Sequence, residues 1–475
     1  MAEISKREKK WLGLAALAYF LVFFGFTSLR HANFQTQTWD MAVFTQTLWN
    51  TINGEVMQNT LEQVPNHLGV HWRPIMFLLV PGYWFWPSAY FLLFIQALGF
   101  AAGVWPVYFL AKWVLKKERL AWLMATAYLF YPSLHWVNTF DFHEISLFIP
   151  LLLWTIYFFE NGRLGWAAIF AALTAAVKED AIIIMFFVGL YFLTRKGISS
   201  SGRKFGISIA VLAIIYFILA TKVFMPAVGG GLFRFDRYEH IGATPMEAAK
   251  NLVIHPTLFF QIVLEKEKLI YLFWVFLPMA FLPLFSGRAL ILLIPGLLEN
   301  LLSRFELQTT GFYQYDAVLV PAMIISSIYG LRWLMNKWPD KEKIIFWSMN
   351  GLIAASFLLR SPVSPFNFPY EYFRTNPQWE AYKNLVGIVP PQLSVAAQTN
   401  LVPHLANRRV VYQLGFEREP VDMLLIDGAD SFGFPNQEAL EKYARSYLET
   451  GNYKMTVIDE RYLIVLNKKY KLGGL

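Results

Sequence analysis

Residues 6–29 read KREKKWLGLAALAYFLVFFGFTSL, a basic cluster followed by an apolar run long enough to cross a bilayer. A secretory signal would have a shorter apolar run and a cleavage site flanked by small residues, and this stretch fits neither feature. We therefore predict that residues 11–29 form a membrane anchor with a cytoplasmic amino terminus.

The same composition continues along the chain. Of the 475 residues, 56% are apolar and 16% are charged, whereas soluble domains carry about 25% charged residues. The pattern predicts an α-helical polytopic membrane protein with about 11 transmembrane helices. The predicted spans are 11–29, 88–111, 119–137, 145–160, 164–180, 181–195, 205–225, 268–286, 289–303, 317–335 and 344–360.

The net charge of +8 follows from the positions of the basic residues. They fall in alternate loops, which are cytoplasmic if the first span has its amino terminus inside, as the positive-inside rule requires. These loops contain Lys112, Lys116, Lys117 and Arg119; Arg195, Lys196, Arg203 and Lys204; and Arg332, Lys337, Lys341 and Lys343. The charge therefore indicates topology, and we predict no nucleic-acid partner.

The hydrophobic character drops after Arg360. Residues 361–365 read SPVSP, which predicts an extended linker. Apolar runs of strand length follow at 393–397, 410–412, 423–426, 455–458 and 462–466, with a helical pattern at 437–448. We predict a small C-terminal extracytoplasmic α/β domain over residues 361–475, separate from a transmembrane domain over residues 1–360.

In the first outer loop, residues 30–87, Asp40 stands at the start of a helical pattern that ends at Asn53-Gly54. The pattern predicts an amphipathic helix on the membrane surface. Asp40 could be a helix cap or a first-turn charge, or it could act in chemistry. His67 and His71 are four residues apart, a spacing that on a helix would suit a metal. Nearby glycine and proline residues oppose a regular helix, so polar interfacial histidines are the alternative. Residues 75–87 predict an interface-seated hairpin.

The second outer loop contains Asp141, His143 and Glu144 within four residues. Such a group could chelate a hard cation, polarise a hydroxyl or bind a sugar. The alternative is a solvated hairpin. Apolar residues bracket the loop, which indicates that its carboxylates face protein.

Lys178, Glu179 and Asp180 join two apolar segments without a turn signal. Three adjacent charges are costly in such a place unless they are paired or hydrated. Lys178 could bind a phosphate while Glu179 or Asp180 orients it. A mutual ion pair is the alternative.

Further cations lie in the predicted outer segments at Arg73, Arg234, Arg237 and Arg304. Arg304 precedes an aromatic and acidic stretch over residues 312–316 that suits a sugar or a lipid head group. The chain has no Cys, which excludes disulfides, thiolate metal sites and Cys nucleophiles. It also lacks a serine-hydrolase elbow, a His-Glu-x-x-His motif and a phosphate-binding P-loop, so we predict no nucleotide cofactor. Whether the protein uses a divalent cation stays open.

Five stretches of the chain resemble an uncharacterised family of prokaryotic multi-pass membrane proteins, a domain of unknown function. They are residues 40–54, 66–74, 141–144, 178–180 and 403–408. The resemblance covers nearly the whole chain. That family looks like a remote branch of the type-C glycosyltransferase superfamily. Its better-known members include protein O-mannosyltransferases and lipid A aminoarabinose transferase, which use polyprenyl-phosphate-linked sugars on the outer membrane face.

The resemblance implies roles for particular residues. Asp40 would be the catalytic acidic residue after the first span, and Asp141 or Glu144 would be a second acidic group. The chain departs from the O-mannosyltransferases in that Trp39 and Met41 flank Asp40, so their paired Asp-Glu is absent and metal dependence does not carry over. Candidate substrate-binding residues are His67, His71, Arg73, His143, Lys178, Glu179, Asp180, Arg304, Tyr313 and Tyr315.

These inferences predict an integral-membrane glycosyltransferase of the plasma membrane and cell envelope. It would move a sugar from a polyprenyl-phosphate-linked donor to an undefined acceptor at the outer face. The alternative is a transporter or flippase for a lipid-linked or small polar substrate, which would favour charges at mid-span and internally repeated halves. A non-catalytic scaffold is a third hypothesis.

Overall fold

The computed structural model describes residues 4–471, which form mostly helices followed by a small sheet. The helices of the first half are α1 Lys6–Ala32, α2 Val43–Ile52, α3 His67–Val70, α4 Met76–Phe85, α5 Ala89–Ala102, α6 Val104–Leu115, α7 Glu118–Leu129, α8 Pro132–Thr139, α9 Phe148–Glu160, α10 Leu164–Ala175, α11 Glu179–Leu193 and α12 Ser200–Leu219. Those of the second half are α13 Met225–Ala227, α14 Pro245–Ile254, α15 Pro256–Val263, α16 Lys266–Phe276, α17 Leu290–Leu301, α18 Val320–Lys337, α19 Glu342–Arg360, α20 Pro377–Gly387, α21 Val402–Leu405 and α22 Gln437–Glu449.

The chain divides into two compact units. The helical unit contains the residues up to Phe26, His71–Ile75 and Phe94–Pro369. The mixed unit contains Thr27–Val70, Met76–Leu93 and the residues from Tyr370 onward. The first outer loop and the tail thus belong to the same unit. The boundary at residue 360 stays a prediction.

Four described helices are long and apolar enough to cross a membrane: Lys6–Ala32, Ala89–Leu115, Ser200–Ala227 and Pro339–Arg360. Met76–Phe85 and Leu164–Ala175 are shorter apolar helices. A multi-pass protein is consistent with these lengths, and the count of about 11 spans stays a prediction.

One predicted span is not a continuous helix. In the 268–286 stretch, α16 ends at Phe276 and two short 3-10 turns follow. Between these turns, Ala280 and Phe281 have φ values of 50° and 56°. Pro278 and Pro283 lack the amide hydrogens that a continuing helix needs, which accounts for the break. The predicted transmembrane helix over residues 268–286 is therefore not one continuous helix.

The core of the helical unit is built from large aromatic side chains and small residues. Tyr108 and Tyr128 are fully buried, and the rings of Phe159 and Phe192 stack with centroids 3.6 Å apart. Gly189 of α11 allows α12 to approach closely, since a Cβ atom there would lie 2.7 Å from the backbone nitrogen of Ala210. Small residues at such crossings are typical of membrane helices.

The mixed unit contains a five-stranded sheet. Its strands are β1 Val395–Ala397, β2 Val411–Gln413, β3 Met423–Asp427, β4 Tyr453–Ile458 and β5 Tyr462–Asn467. Their order is β2-β1-β3-β5-β4, in which β2, β1 and β3 are parallel and the pairs β3–β5 and β5–β4 are antiparallel. The five strands and the 437–448 helix predicted from the sequence are confirmed within one or two residues.

Alternation along β3 explains the layers of this unit. Met423 and Leu425 pack on one face with α20 and with residues 34–61 of the first outer loop. Leu424 and Ile426 pack on the opposite face with α22. Successive side chains of a strand point to opposite faces, so a strand covered on both sides is apolar throughout.

Three local predictions fail. Residues 362–367 form turns rather than an extended linker, and Ser361 and Ser364 are fully buried. Residues 76–85 form a helix instead of a hairpin. The helix after Asp40 exists and ends before Asn53, but most of its side chains are buried, so no free apolar face is left to lie on a bilayer. The sequence pattern did not reveal that the protein itself covers this helix.

Candidate functional site

The loop between α8 and α9, predicted to be the second outer loop, carries buried carboxylates. It follows α8, and Glu144 begins the 3-10 turn Glu144–Leu147 that leads into α9. Asp141 and Glu144 are 0% and 1% exposed, which confirms that these carboxylates face protein. Gln96 holds the loop: its Oε1 accepts from the His143 amide at 3.1 Å, and its Nε2 donates to the Asn138 carbonyl at 3.3 Å. The histidine Nδ1 lies 3.0 Å from the Asp141 carbonyl oxygen.

Glu144 pairs with Arg73, which comes from the segment before α4. The Nε of Arg73 lies 3.1 Å from Oε1 of Glu144, and both side chains are buried. The other carboxylate oxygen, Oε2 of Glu144, is buried and has no hydrogen-bond partner. A buried acceptor without a donor costs about 1–3 kcal/mol or more when charged, so this oxygen is suited to receive a donor from a bound molecule.

Lys178, Glu179 and Asp180 are all paired. Lys178 lies just before α11, and its Nζ is 2.6 Å from Oδ2 of Asp180. The amino group of Lys178 also interacts electrostatically with Glu179 and Glu144. Lys178 therefore forms the predicted ion pair with Asp180 and also interacts electrostatically with Glu144.

Glu179 fixes the segment that carries Arg73. Its Oε1 lies 2.5 Å from Nδ1 of His71, and its Oε2 accepts from the Trp72 amide at 2.9 Å. The indole of Trp72 in turn donates to the Tyr216 hydroxyl at 2.8 Å. The candidate binding residues His71, Arg73 and Glu179 thus form one connected group with Glu144 and Lys178.

His67 belongs to the mixed unit and has a different carboxylate partner. Its Nδ1 lies 2.6 Å from Oε2 of Glu62, which also accepts from Nδ2 of Asn59 at 2.7 Å. His67 and His71 therefore contact different acids, Glu62 and Glu179. Within residues 4–471, no group of three or more His, Asp and Glu side chains is arranged to hold a metal ion.

Asp40 lies in a single π-helical turn, Thr38–Ala42, that leads into α2. The N-cap position is Gln37, so Asp40 is a first-turn charge and is half-buried. Thr38 anchors this turn to the tail, since its amide and hydroxyl donate to Oγ1 and O of Thr399, both at 3.2 Å. Turns of π-helix are frequent at functional sites.

The aromatic stretch predicted to bind a sugar or a head group lies partly buried in the helical unit. Tyr313 packs edge-on against Phe140 of the second outer loop with ring centroids 5.4 Å apart. Tyr315 packs against Phe305 at 5.7 Å. Arg304 is exposed, and its amide donates to the Arg237 carbonyl at 3.0 Å.

Two further acidic residues lie in the helical unit: Glu299, which was not predicted as a site residue, and Asp316, the acid of the 312–316 stretch. Glu299 lies in α17, and its carboxylate interacts electrostatically with Asp180 and Lys178. Asp316 is 2% exposed and accepts from the Tyr271 hydroxyl at 2.7 Å. Burial raises the pKa of Asp316 above its ordinary value. Glu299 could have been found, because an ionisable residue inside an apolar span is a functional candidate by default.

Comparison with solved structures identifies the fold. The crystal structure of ArnT from Cupriavidus metallidurans bound to undecaprenyl phosphate matches with a TM-score of 0.58 at 12% identity, over 98% of this chain and 99% of that chain. The apo state of that protein gives a TM-score of 0.46 at 14% identity, over 97% and 98% of the two chains. The Archaeoglobus fulgidus oligosaccharyltransferase tethered with an acceptor peptide gives 0.45 at 12% identity, over 93% and 69%. Only the first score carries the fold assignment.

The sequence comparisons agree with the predicted family. No curated protein sequence matches the chain. Residues 30–464 match the family described as "Predicted membrane protein (DUF2079)". That match covers most of the chain, so the predicted membership of an uncharacterised membrane-protein family is confirmed. The chain therefore belongs to the DUF2079 family of predicted membrane proteins and has an ArnT-like fold.

Proposed function

We propose that this chain is an integral-membrane glycosyltransferase that moves a sugar from a polyprenyl-phosphate-linked donor to an acceptor at the outer face of the membrane. One observation carries the proposal: the buried group around Glu144, Arg73 and Lys178 combines two cations with an unpartnered carboxylate oxygen. It occurs in a chain with the fold of ArnT, whose structure was solved with undecaprenyl phosphate bound.

The two cations suit the leaving group. When the bond between the anomeric carbon and the phosphate oxygen breaks, its electron pair stays on the lipid phosphate, which gains negative charge. Lys178 and Arg73 would stabilise that charge by charge-assisted hydrogen bonds. Both cations are paired with carboxylates here, so a bound phosphate would share them with Asp180 and Glu144.

The carboxylates suit the acceptor. An acceptor hydroxyl forms the new bond to the anomeric carbon, and its proton must pass to a base. Asp40 is the base that the family resemblance supports, and its half-buried position leaves it accessible. The unpartnered oxygen of Glu144 is a second site for the proton, and Asp141 is the third candidate.

The remaining parts of the proposal follow from the predicted topology. The amino terminus would be cytoplasmic, and the predicted domain over residues 361–475 would be extracytoplasmic. The partners would be the bilayer, a polyprenyl-phosphate sugar and an acceptor of protein, lipid or glycan. The sequence left dependence on a divalent cation open, and the steps above are written without one.

The experiment uses purified chain in liposomes that contain radiolabelled polyprenyl-phosphate hexoses and a membrane extract as the acceptor source. We expect label to leave the lipid fraction in thin-layer analysis and to appear in an acceptor fraction. A flippase would instead change the accessibility of the lipid to external periodate without cleaving it. Intact donor after prolonged incubation would contradict the proposed transfer.

A further inference from the structure

One edge of the sheet in the mixed unit has features that the proposed chemistry does not use. Strands β2, β1 and β3 run parallel, so the loops after their carboxyl ends meet at the same edge. In open α/β sheets, ligands bind in the crevice outside these ends. The register places Gln413, the last residue of β2, opposite Ala397, the last residue of β1.

Three contacts gather the surrounding loops at this edge. Thr399, which follows β1, accepts both hydrogen bonds from Thr38 of the first outer loop. Trp39 packs edge-on against Phe416 of the loop after β2, with ring centroids 5.2 Å apart. The loop after β3 lies over Gln413, since a Cβ atom on Gly433 would be 3.5 Å from Nε2 of Gln413.

The edge combines exposed rings with unpartnered polar atoms. Trp39, Phe416 and Phe432 are 45%, 51% and 60% exposed. Gln413 is 4% exposed. Its Oε1 atom has no hydrogen-bond partner, and Oδ1 of Asn400 has none either. Unpartnered buried polar atoms call for a donor. We define the aromatic edge as Trp39, Asn400, Gln413, Phe416 and Phe432.

This chemistry fits a neutral sugar ring. A pyranose presents apolar C–H faces that pack against aromatic rings, and hydroxyl groups that donate to amide oxygens. None of the five residues that define the aromatic edge is a cation, so these residues offer a phosphate group no counter-charge. The rings supply area, and the two amide oxygens supply orientation.

We propose that the aromatic edge binds a pyranose ring of the acceptor, so that the acceptor is a saccharide. The inference rests on the proposed function. Asp40, the candidate base, directly follows Trp39 in the same helical turn. The proposed saccharide site and the candidate base therefore share one helical turn.

The experiment measures binding without turnover. Saturation-transfer difference NMR is recorded on the full chain in detergent with free maltotriose, chitotriose and mannotriose, and in a second arm with a polyprenyl-phosphate hexose. We expect saturable binding of at least one free trisaccharide. Trp39→Leu and Phe416→Leu should each weaken it roughly tenfold, whereas Trp39→Phe should bind nearly as wild type. Tyr370→Leu removes another exposed ring of the same unit (56% exposed) and is the matched control.

Several results would overturn the inference. One is that wild-type protein, shown to be folded by its thermal unfolding, has no saturable binding of any free trisaccharide. Another is unchanged binding by Trp39→Leu, as expected if the ring pair lies in lipid. Binding of the lipid-linked sugar alone would assign the aromatic edge to the donor and also reject the proposal. Trp39-dependent trisaccharide binding in a chain that transfers no sugar would contradict the proposed function but not the saccharide site.

Discussion

At the scale of single residues, the two candidate bases differ in their surroundings. Asp40 is half-buried in a π-helical turn, whereas Glu144 is buried against Arg73 with one oxygen unpartnered. The turn at Asp40 is held by Thr38 and does not need the Asp40 side chain as an N-cap. Function and stability can therefore be separated at Asp40 more cleanly than at Glu144.

We predict that Asp40→Asn lowers sugar transfer by roughly 10²–10⁴-fold, because the amide cannot accept the proton. The thermal unfolding midpoint in detergent should stay near that of wild type. Transfer is measured by thin-layer analysis, with exposed Glu239→Gln as the control. Glu144→Gln and Asp141→Asn are measured beside it. Transfer at the wild-type rate by Asp40→Asn would remove Asp40 from the mechanism, and normal rates in all three variants would remove all three carboxylates from it.

A second prediction concerns Asp427 at the end of β3. Its carboxylate accepts from Nε and Nη2 of Arg461, both at 2.6 Å, and from the Tyr382 hydroxyl at 2.7 Å. Asp427→Asn should destabilise the mixed unit by about 2–3 kcal/mol, less than the loss of a fully buried pair because Arg461 is partly exposed. Differential scanning fluorimetry at pH 7 checks this, with exposed Glu449→Gln as the control.

The pH dependence follows from the direction of the shift. Burial raises the pKa of Asp427, but the hydrogen bonds from Arg461 and Tyr382 outweigh it and hold the pKa below its ordinary value. Because the folded-state pKa is depressed, the stabilisation is complete above the unfolded pKa of about 3.9 and is lost as the pH falls through the folded-state value. The gap between wild type and Asp427→Asn should therefore narrow below about pH 4. A constant gap down to pH 2.5 would contradict this assignment.

At the scale of elements, close helix packing depends on particular glycines. A Cβ atom on Gly189 would lie 2.7 Å from the Ala210 nitrogen and 2.8 Å from the Gly206 carbonyl oxygen. Gly189→Ala should force α11 and α12 apart and cost roughly 1–3 kcal/mol. Gly351→Ala in α19 is the control, since a Cβ atom there meets nothing within 4 Å. Equal unfolding midpoints for the two variants would show that this crossing tolerates a methyl group.

The break after α16 has a local cause within the segment. An apolar stretch that is continuous in composition is interrupted because its prolines lack amide donors and Ala280 and Phe281 adopt left-handed backbone angles. Hydropathy reports whether a segment prefers lipid or water, and it does not report interruptions of a helix. The strands of the tail were easier to predict, because their length and apolar character are local properties.

At the scale of the whole molecule, we predict an amino terminus inside and a tail outside. A reporter fused after Leu475 should be active only in the outer compartment, and one inserted after Lys196 should be active only in the cytoplasm. Because residues 472–475 lie outside the described residues, the reporter is attached to Leu475 through an added flexible linker. The reverse pattern would place the buried cations and carboxylates on the wrong face for an outer-face donor.

An extended linker at residues 361–365 would let limited proteolysis release the tail. The structure changes that expectation, because Ser361 and Ser364 are fully buried and Oγ of Ser361 lies 2.8 Å from Nδ1 of His135. Cleavage at this segment should be slow under native conditions and should accelerate only on unfolding. Rapid native release of a compact tail fragment would contradict the observed turns.

The sequence by itself determined the membrane class, the helix-rich chain, the five strands of the tail and the loops where charges collect. These are local properties: the length of an apolar run, its periodicity, and the presence of ionisable residues at its ends. Only the tertiary structure decided the partners. Arg73 meets Glu144, and Glu179 meets His71, across 71 and 108 positions of the chain, and no local pattern encodes such pairings. The joining of the first outer loop to the tail was likewise unpredictable, because burial of an amphipathic face can be satisfied by lipid or by protein, and only the packed fold selects between them.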